Sequence, residues 1–388
     1  MKFFEQIPAF AIENPVRDTA LTQDILYLRK KVTDLAQGGK AAIFGHTDGD
    51  GVGSIAAFKK MFRGINEGVP RDRRITPHFG NIDYDHLREV DGYVSSHPKK
   101  DLLGTTLFLL DFGPHLTELS RWSKHFNEII ILDHHPNRPD LDELSTTYSN
   151  FSYLNPIQSS SRSEVSISYI SALLADTFGV NAYVPSRMAC EIYGFRKDIS
   201  LLRNMFAPGG RGVTSKSLEH CVDLSRMLFS LGRQSCGPLS TEISKSGSFT
   251  QLELRLEDKV DHTSRYLTKA HRTVSLTELA DLAIKEAITN AEDHFGIPVY
   301  EIHHFELPDY LRKHIMQQEK PKTGIFVKVK GPEVKVSIRS NRRLLPKLAR
   351  AAREIGTENF GGHERAAGIV LPRKKWRKNL DILCQNLN

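Results

Sequence analysis

Cysteine is scarce in this chain of 388 residues. The four cysteines are Cys190, Cys221, Cys236 and Cys384, and no two of them form a CxxC motif. This spacing excludes a zinc site built from a cysteine quartet. We therefore predict reduced thiols in a cytoplasmic protein.

Long apolar segments are missing as well. No apolar run approaches the ~20 residues that a helix needs to span a bilayer. The N-terminus, Met1-Lys2-Phe3-Phe4-Glu5, carries an acid where a secretory peptide would be apolar. The sequence therefore predicts neither a membrane protein nor a secreted one.

Charge of one sign is not strongly in excess. The chain has 53 Lys and Arg against 46 Asp and Glu, which gives a net charge of +7 and an isoelectric point of about 9.1. A hydrophobic content of 39% and a charged content of 26% are ordinary for a globular protein. The modest basic surplus favours a polyanionic, phosphate-rich partner.

Short apolar strands alternate with helical stretches up to about residue 204, which is the pattern of βαβ units and a parallel sheet. Residues 214–293 look helical, and strands return from about residue 297. They include a hairpin in which Gly331-Pro332 joins two arms. We predict an α/β protein with a parallel-sheet catalytic domain (1–204), a helical segment (205–296) and a smaller α/β domain (297–388).

Acids and imidazoles follow three of the apolar runs. Residues 41–44 lead into His46-Thr47-Asp48-Gly49-Asp50-Gly51, residues 107–110 into Asp111, and residues 129–132 into Asp133-His134-His135. In open α/β sheets the ligand crevice lies outside the carboxyl ends of the strands. The sequence therefore predicts that the three clusters meet there.

Each cluster alone has a simpler interpretation. An Asp-rich turn after a strand serves Asx hydrogen bonds, an acid often ends a strand, and two adjacent histidines can lie on a surface. Their shared position at strand ends favours a metal centre instead. Mixed carboxylate and imidazole ligands suit manganese, cobalt or zinc better than calcium. The number of such ligands predicts two ions with a bridging carboxylate, an arrangement that activates a water for attack on phosphorus.

These motifs resemble those of the DHH phosphoesterase superfamily, and most of all its RecJ-like branch of exonucleases and oligonucleotidases. The first motif matches residues 46–51, the second Asp111 and the third Asp133-His134-His135. The fourth family motif is a lone aspartate after a later strand, for which Asp198 is the best match and Asp176 a rival. Residues 361–368, with Gly361-Gly362-His363, resemble the DHH-associated domain, as does the strand bearing Arg339 and Ser340.

The resemblance implies a role for each matching position. One metal would be held by His46, Asp48 and Asp111. The other would be held by Asp50, Asp111, His134 and Asp198. His135 would contact the scissile phosphate, with Asp133 in support. The nucleotide would be bound by Arg339, Ser340, Gly361, Gly362 and His363.

The resulting hypothesis is a phosphodiesterase with two Mn²⁺ ions, for which Mg²⁺ or Co²⁺ could substitute, acting as an exonuclease on single-stranded DNA or RNA. The rival is an oligoribonuclease of the nanoRNase type, or a phosphodiesterase for pAp or cyclic dinucleotides, because the same catalytic residues serve both. Two features favour longer substrates: the single residue between His46 and Asp48, and the helical bulk of residues 205–296. A non-catalytic replisome scaffold would be expected to have lost ligands. An active nuclease could still dock on a helicase or replisome subunit.

Overall fold

The computed structural model describes residues 19–82, 87–135, 139–157, 165–206, 215–230, 233–267, 276–302, 308–363 and 365–388. The chain divides into two compact units, Met1–Lys259 and Val260–Asn388. Each unit contains one sheet with helices packed against it.

Five parallel strands form the sheet of the first unit. They are β1 (Lys40–His46), β2 (His78–Ile82), β3 (Thr105–Leu110), β4 (Glu128–Leu132) and β5 (Phe151–Leu154). Their order is β2-β1-β3-β4-β5, so β3 is the central strand. Every residue of β3 is buried, as expected for a strand covered on both faces. The predicted parallel α/β fold is confirmed.

Helices connect these strands and cover the sheet. They are α1 (Thr19–Leu35), α2 (Gly49–Ile65), α3 (Arg88–Ser96), α4 (Lys99–Leu102), α5 (Leu116–Trp122), α6 (Pro139–Thr147), α7 (Ile167–Asp176), α8 (Tyr183–Tyr193) and α9 (Arg196–Phe206). A 3₁₀ turn spans Arg71–Arg73. Three further helices follow: α10 (Ser215–Ser230), α11 (Arg233–Lys245) and α12 (Phe249–Leu267). Helices α10 and α11 pack against α2 and α8, so they belong to the first unit.

Helix α2 begins directly beyond β1, and local contacts fix this turn. Asp48 is the N-cap residue, and its Oδ1 accepts hydrogen bonds from the backbone N–H groups of Asp50 and Gly51. A Cβ at position 51 would lie 2.4 Å from the carbonyl oxygen of His46. Only glycine therefore allows the chain to turn this tightly, which places the first motif at the end of β1.

The second unit contains a six-stranded mixed sheet. Its strands are β6 (Glu292–His294), β7 (Ile297–Glu301), β8 (Thr323–Lys330), β9 (Glu333–Ser340), β10 (Phe360–His363) and β11 (Ala366–Pro372), in the order β10-β11-β9-β8-β7-β6. Its helices are α13 (Leu276–Thr289), α14 (Pro308–Glu319), α15 (Leu345–Ile355) and α16 (Trp376–Leu387), with a 3₁₀ turn at Arg373–Lys375. The predicted hairpin is confirmed as β8 and β9. Gly356 ends α15 with a φ of 78°, the left-handed conformation typical of a glycine that ends a helix.

All four cysteines are buried and free. Within the described ranges, no helix combines the length and the apolar character needed to cross a membrane.

Candidate metal centre

The three motifs lie side by side at one edge of the first sheet. His46 is the last residue of β1, Asp111 directly follows β3, and Asp133 directly follows β4. These strands are neighbours in the order β1-β3-β4, and all run in the same direction. Their carboxyl ends therefore bring the three motifs together, at the edge where α/β sheets bind ligands.

Asp111 lies at the centre of this cluster and is fully buried. Its backbone has a φ of 59°, in the left-handed region that aspartate adopts more readily than most residues. The backbone N–H of Asp111 donates to the carbonyl oxygen of Leu132 at 2.8 Å, which ties this turn to β4. Among the described residues, neither carboxylate oxygen of Asp111 has a hydrogen-bond partner. A buried carboxylate without hydrogen-bond partners is costly, and a bound cation would remove this cost.

One set of donor atoms joins the first motif to Asp111. The Nδ1 of His46 lies 3.0 Å from Oδ2 of Asp48 and 4.0 Å from Oδ2 of Asp111. Burial raises the pKa of Asp48, but the charge of His46 and hydrogen bonds from His46 and the Gly51 amide outweigh it and hold this pKa well below its ordinary value. Asp48 is therefore an anion at neutral pH.

A second set joins Asp111 to the third motif. His134 is buried, and its Nδ1–H donates to the carbonyl oxygen of Val165 at 2.7 Å. This bond fixes the tautomer, so Nε2 carries the lone pair, as in histidines that bind metals. Nε2 lies 3.0 Å from Oδ1 of Asp111. Two acceptors at this distance repel each other unless a proton or a cation lies between them.

His135 and Asp133 form a pair beside this set. Nδ1 of His135 donates to Oδ1 of buried Asp133 at 2.7 Å. Burial alone would lower the pKa of His135, but the charge and hydrogen bond of Asp133 raise it above its ordinary value. Burial alone would raise the pKa of Asp133, but the His135 charge lowers it. The pair thus favours an imidazolium next to a carboxylate.

The two sets share Asp111. Candidate ligand atoms lie within 4.8 Å of one another in His46, Asp48 and Asp111, and again in Asp111, His134 and His135. Burial, followed by the charges of Asp48 and Asp50, raises the pKa of Asp111 well above its ordinary value. Divalent cations would remove this repulsion. The donor types, the shared carboxylate and its unsatisfied oxygens all fit a pair of such ions.

Asp50 and Asp198 lie behind these groups, at the N-terminus of α7. The two oxygens of Asp50 accept the N–H groups of Ile167 and Ser168 at 2.8 and 2.9 Å, and its Oδ2 lies 3.8 Å from Nε2 of His134. Oδ2 of Asp198 accepts the N–H of Ser166 at 2.6 Å. Both carboxylates are buried. A carboxylate oxygen has a second lone pair. A hydrogen bond from a backbone amide therefore leaves the oxygen able to bind a metal.

One expectation for this region is corrected. Asp198 does not follow a strand, since it lies in the first turn of α9. Helix α7 begins at Ile167, and Val165 lies before it. The carbonyl of Val165, which orients His134, was not predictable because backbone acceptors have no sequence pattern. The one available indication was Ser166, whose hydroxyl caps α7 by accepting from the N–H of Tyr169.

In the second unit, the backbone register aligns the predicted substrate-binding positions. Arg339 on β9 pairs with Ala366 on β11, and Ala366 pairs with His363 on β10. The side chain of His363 lies outside the described part of the structure. Gly362 has a φ of 129°, and a Cβ there would lie 2.4 Å from the carbonyl oxygen of Ala366. This position in β10 therefore requires glycine.

Gly361 is exposed beside this row. Ser340 is buried and exchanges a hydrogen bond of 2.8 Å with Thr323 across the β8–β9 pair. Its hydroxyl also accepts the N–H of Arg342 at 3.1 Å. Ser340 thus supports the end of the arginine-bearing strand.

Together, the fold and the site define a parallel α/β domain with a candidate divalent-metal centre at the carboxyl edge of its sheet. Residues 40–193 match the model of the DHH family, N-terminal domain. None of the curated protein sequences matches this chain.

Solved structures share this fold at low sequence identity. RecJ from Thermus thermophilus in complex with Mn²⁺ superposes with a TM-score of 0.62 at 13% identity over 99% of this chain. The chain spans 56% of the length of that RecJ. An exonuclease RecJ bound to manganese matches with a TM-score of 0.52 at 15% identity, covering 95% of this chain and 94% of the other. The DHH domain of a protein described as a member of a ribosomal protein family matches with a TM-score of 0.66 at 13% identity, covering 94% and 90%.

Proposed function

We propose that the protein is a Mn²⁺-dependent phosphodiesterase that acts as an exonuclease on single-stranded DNA or RNA and releases mononucleotides. The observation that carries this proposal is the position of Asp111 between two sets of ligand atoms. Such a shared carboxylate is what a two-metal phosphodiesterase requires. Two RecJ proteins with the same fold are described as bound to Mn²⁺ or manganese, which supports the choice of ion.

The proposed ligands are those that the resemblance to the DHH phosphoesterases implies. His46, Asp48 and Asp111 would hold one ion, and Asp111, His134, Asp50 and Asp198 the other. When bound, the pair would activate a water and neutralise the negative charge of the phosphoryl group. The Nδ1–H bond of His134 to Val165 keeps Nε2 facing Asp111, so this histidine is oriented before any ion arrives.

His135 is the proposed contact to the scissile phosphate. Asp133 holds its ring by the Nδ1 hydrogen bond and stabilises the imidazolium. A positive imidazole donates a charge-assisted hydrogen bond to a phosphate oxygen, and such bonds are about twice as strong as neutral ones. Asp133 would therefore act through His135 and not on the substrate itself.

The second unit supplies the proposed nucleotide contacts. Arg339 and His363 occupy one row of its sheet, and the exposed glycines Gly361 and Gly362 precede His363 on β10. An arginine recognises phosphate oxygens in a bidentate manner, and glycines let a backbone approach them closely. Ser340 is buried, so it would position the arginine-bearing strand and not contact the nucleotide itself.

The test is digestion of single-stranded DNA and RNA, labelled at either end, with Mn²⁺ as the only divalent ion. A thirty-nucleotide substrate should give a ladder of mononucleotide steps, and Asp111→Asn should abolish it. The matched control is Asp72→Asn, because Asp72 is exposed in the turn Arg71–Arg73. Undiminished cleavage by Asp111→Asn would reject the metal centre. Cleavage of a trinucleotide alone would assign the protein to the oligoribonuclease class.

A further inference from the structure

A second charged region lies at the far end of α2. Asp50 and Arg63 are separated by 13 residues of this helix, or about 20 Å at a rise of 1.5 Å per residue. There α2, the segment 66–79, the turn at 179–181 and the end of α11 line a solvent-open cavity of about 1070 Å³. All of these elements belong to the first unit.

Cations dominate the walls of this cavity. Five basic side chains line it, against a single carboxylate, that of Glu67. They are Lys59, Lys60, Arg63, Arg74 and Lys245. Lys245 has an acidic partner elsewhere, because its Nζ lies 3.2 Å from Oε1 of Glu242.

The three cations of α2 bind neutral oxygens. Nζ of Lys60 donates to the carbonyl oxygen of Ser246 at 2.9 Å. Arg63 donates to the carbonyl and the hydroxyl oxygen of Ser244 at 3.0 and 3.1 Å. Over the ranges that the structure covers, no carboxylate lies within ion-pair distance of Lys59, Lys60 or Arg63. Neutral oxygens and the partial negative charge at the C-terminus of α11 offset their charge in part.

These contacts also dock α11 on α2, and this structural role is most complete for Lys59. Its three N–H donors find three acceptors, the carbonyl of Gly237 and the hydroxyls of Ser240 and Thr241. Lys60 uses one of its three donors, and Arg63 two of its five. Donors therefore remain on Lys60 and Arg63, beyond those that docking needs.

Burial and the repulsion between the cations that line the cavity lower the pKa of Lys59 and of Lys60. Burial, then the charges of Arg63 and Lys245, lower the pKa of Lys59 from its ordinary 10.5 to about 8. Burial and then Arg63 lower the pKa of Lys60 as well. An anion bound in the cavity would raise the pKa values of Lys59 and Lys60 again.

We propose that this cavity is a binding site for a small phosphate-bearing ligand of the size of a mononucleotide. Its volume of about 1070 Å³ is large enough for such a molecule and lies just above the roughly 300–1,000 Å³ of typical ligand pockets. Lys60, Arg63 and Arg74 supply the donors for the phosphate oxygens, while partly exposed Phe79 adds apolar surface for the rest of the ligand. The site is separate from the metal centre, so it does not depend on the proposed nuclease activity.

The experiment is calorimetric titration of the full chain with ADP, pyrophosphate and adenosine in excess chelator, so that no metal ion recruits phosphate elsewhere. ADP and pyrophosphate should bind saturably at one site, and adenosine should not. Lys60→Gln/Arg63→Gln should weaken ADP binding at least about 10-fold, because two charge-assisted hydrogen bonds are lost. The matched control is Lys100→Gln/Lys124→Gln, which removes two exposed lysines outside the cavity.

Three results would overturn the proposal: no saturable binding of ADP or pyrophosphate, equal binding by the double variant, or adenosine binding as tightly as ADP. Tighter binding of a 5′-phosphorylated trinucleotide than of ADP would overturn the small-ligand assignment and identify a strand end instead. If the double variant loses its fold, Arg74→Gln replaces it, since the Nε of exposed Arg74 bonds only the carbonyl of Val69. ADP binding that Arg74→Gln leaves unchanged would also count against the site.

Discussion

The two ends of α2 carry opposite charges and compensate them differently. At its start, Asp48 and Asp50 lie near Asp111, whose buried oxygens lack hydrogen-bond partners within the described residues. At its end, Lys59, Lys60 and Arg63 are bonded, but to neutral oxygens. Carboxylates are in excess at the first end and cations at the second. One helix thus carries an acidic cluster and a basic cluster about 20 Å apart.

The largest effect is expected for Asp111→Asn. Asparagine tolerates the left-handed backbone, so the turn survives while the shared carboxylate is lost. Mutation of a residue that only hydrogen-bonds to a metal ligand typically costs roughly 10–100-fold in activity. We expect Asp111→Asn to lower Mn²⁺-dependent cleavage by more than this. Without metal the variant should melt no lower than the wild type, because the repulsion from Asp48 and Asp50 is removed. Thermal melting with and without Mn²⁺ measures this, and equal stabilisation of both proteins by Mn²⁺ would contradict it.

Asp198→Asn separates two roles of that side chain. The amide oxygen of asparagine can still accept the N–H of Ser166, so the anchoring of α7 is retained. If Asp198 also binds metal, Mn²⁺ affinity should fall about 10–100-fold while the metal-free melting temperature barely changes. Titration with Mn²⁺ measures the affinity. An unchanged affinity would leave Asp198 with the anchoring role alone.

Gly51→Ala tests the tight turn at the acidic end. The new Cβ would lie 2.4 Å from the carbonyl oxygen and 2.5 Å from the backbone nitrogen of His46, so the backbone must shift. We expect a loss of about 1–3 kcal/mol in the free energy of unfolding. Chemical denaturation measures it, with Gly92→Ala as the control, because position 92 lies in α3 with nothing within 4 Å of a new Cβ. Equal stabilities of the two variants would refute the steric argument.

The smallest effect concerns Lys59 at the basic end. Its folded pKa of about 8 lies below the ordinary 10.5, so the unfolded chain holds more protons between these values. The contribution of Lys59 to stability therefore rises as the pH increases through this window. Denaturation of the wild type and Lys59→Met at several pH values should show a difference that grows in favour of the wild type. A difference independent of pH would mean that Lys59 titrates normally.

The sequence located the centre because its motifs are local. Each follows a short apolar run, and parallel strands of one sheet must end at the same edge. The hairpin β8–β9 and the cap at Gly356 were predictable for the same reason, since turn residues act within a few positions. These features depend on neighbours in the chain.

Features that depend on distant packing were not predictable. The acceptor for His134 is a carbonyl 31 residues away, and the contact requires α7 to be in place. The left-handed backbone of Asp111 depends on its bond to Leu132 of the neighbouring strand. The docking of α11 by Lys59 spans 181 residues in the contact to Ser240. The strong motifs near residues 46–135 gave no indication of these bonds.

The hydrogen bond from Asp111 to β4 couples the candidate metal centre to the assembly of the sheet. Asp111 reaches its buried position only when β3 and β4 are paired, and the other proposed ligands lie at the end of β1, around the N-terminus of α2, just after β4 and in α9. For a centre that binds manganese as proposed, a partly assembled sheet would have little affinity for the ion. Binding to the native state alone shifts the folding equilibrium by mass action, so manganese would then stabilise the folded chain.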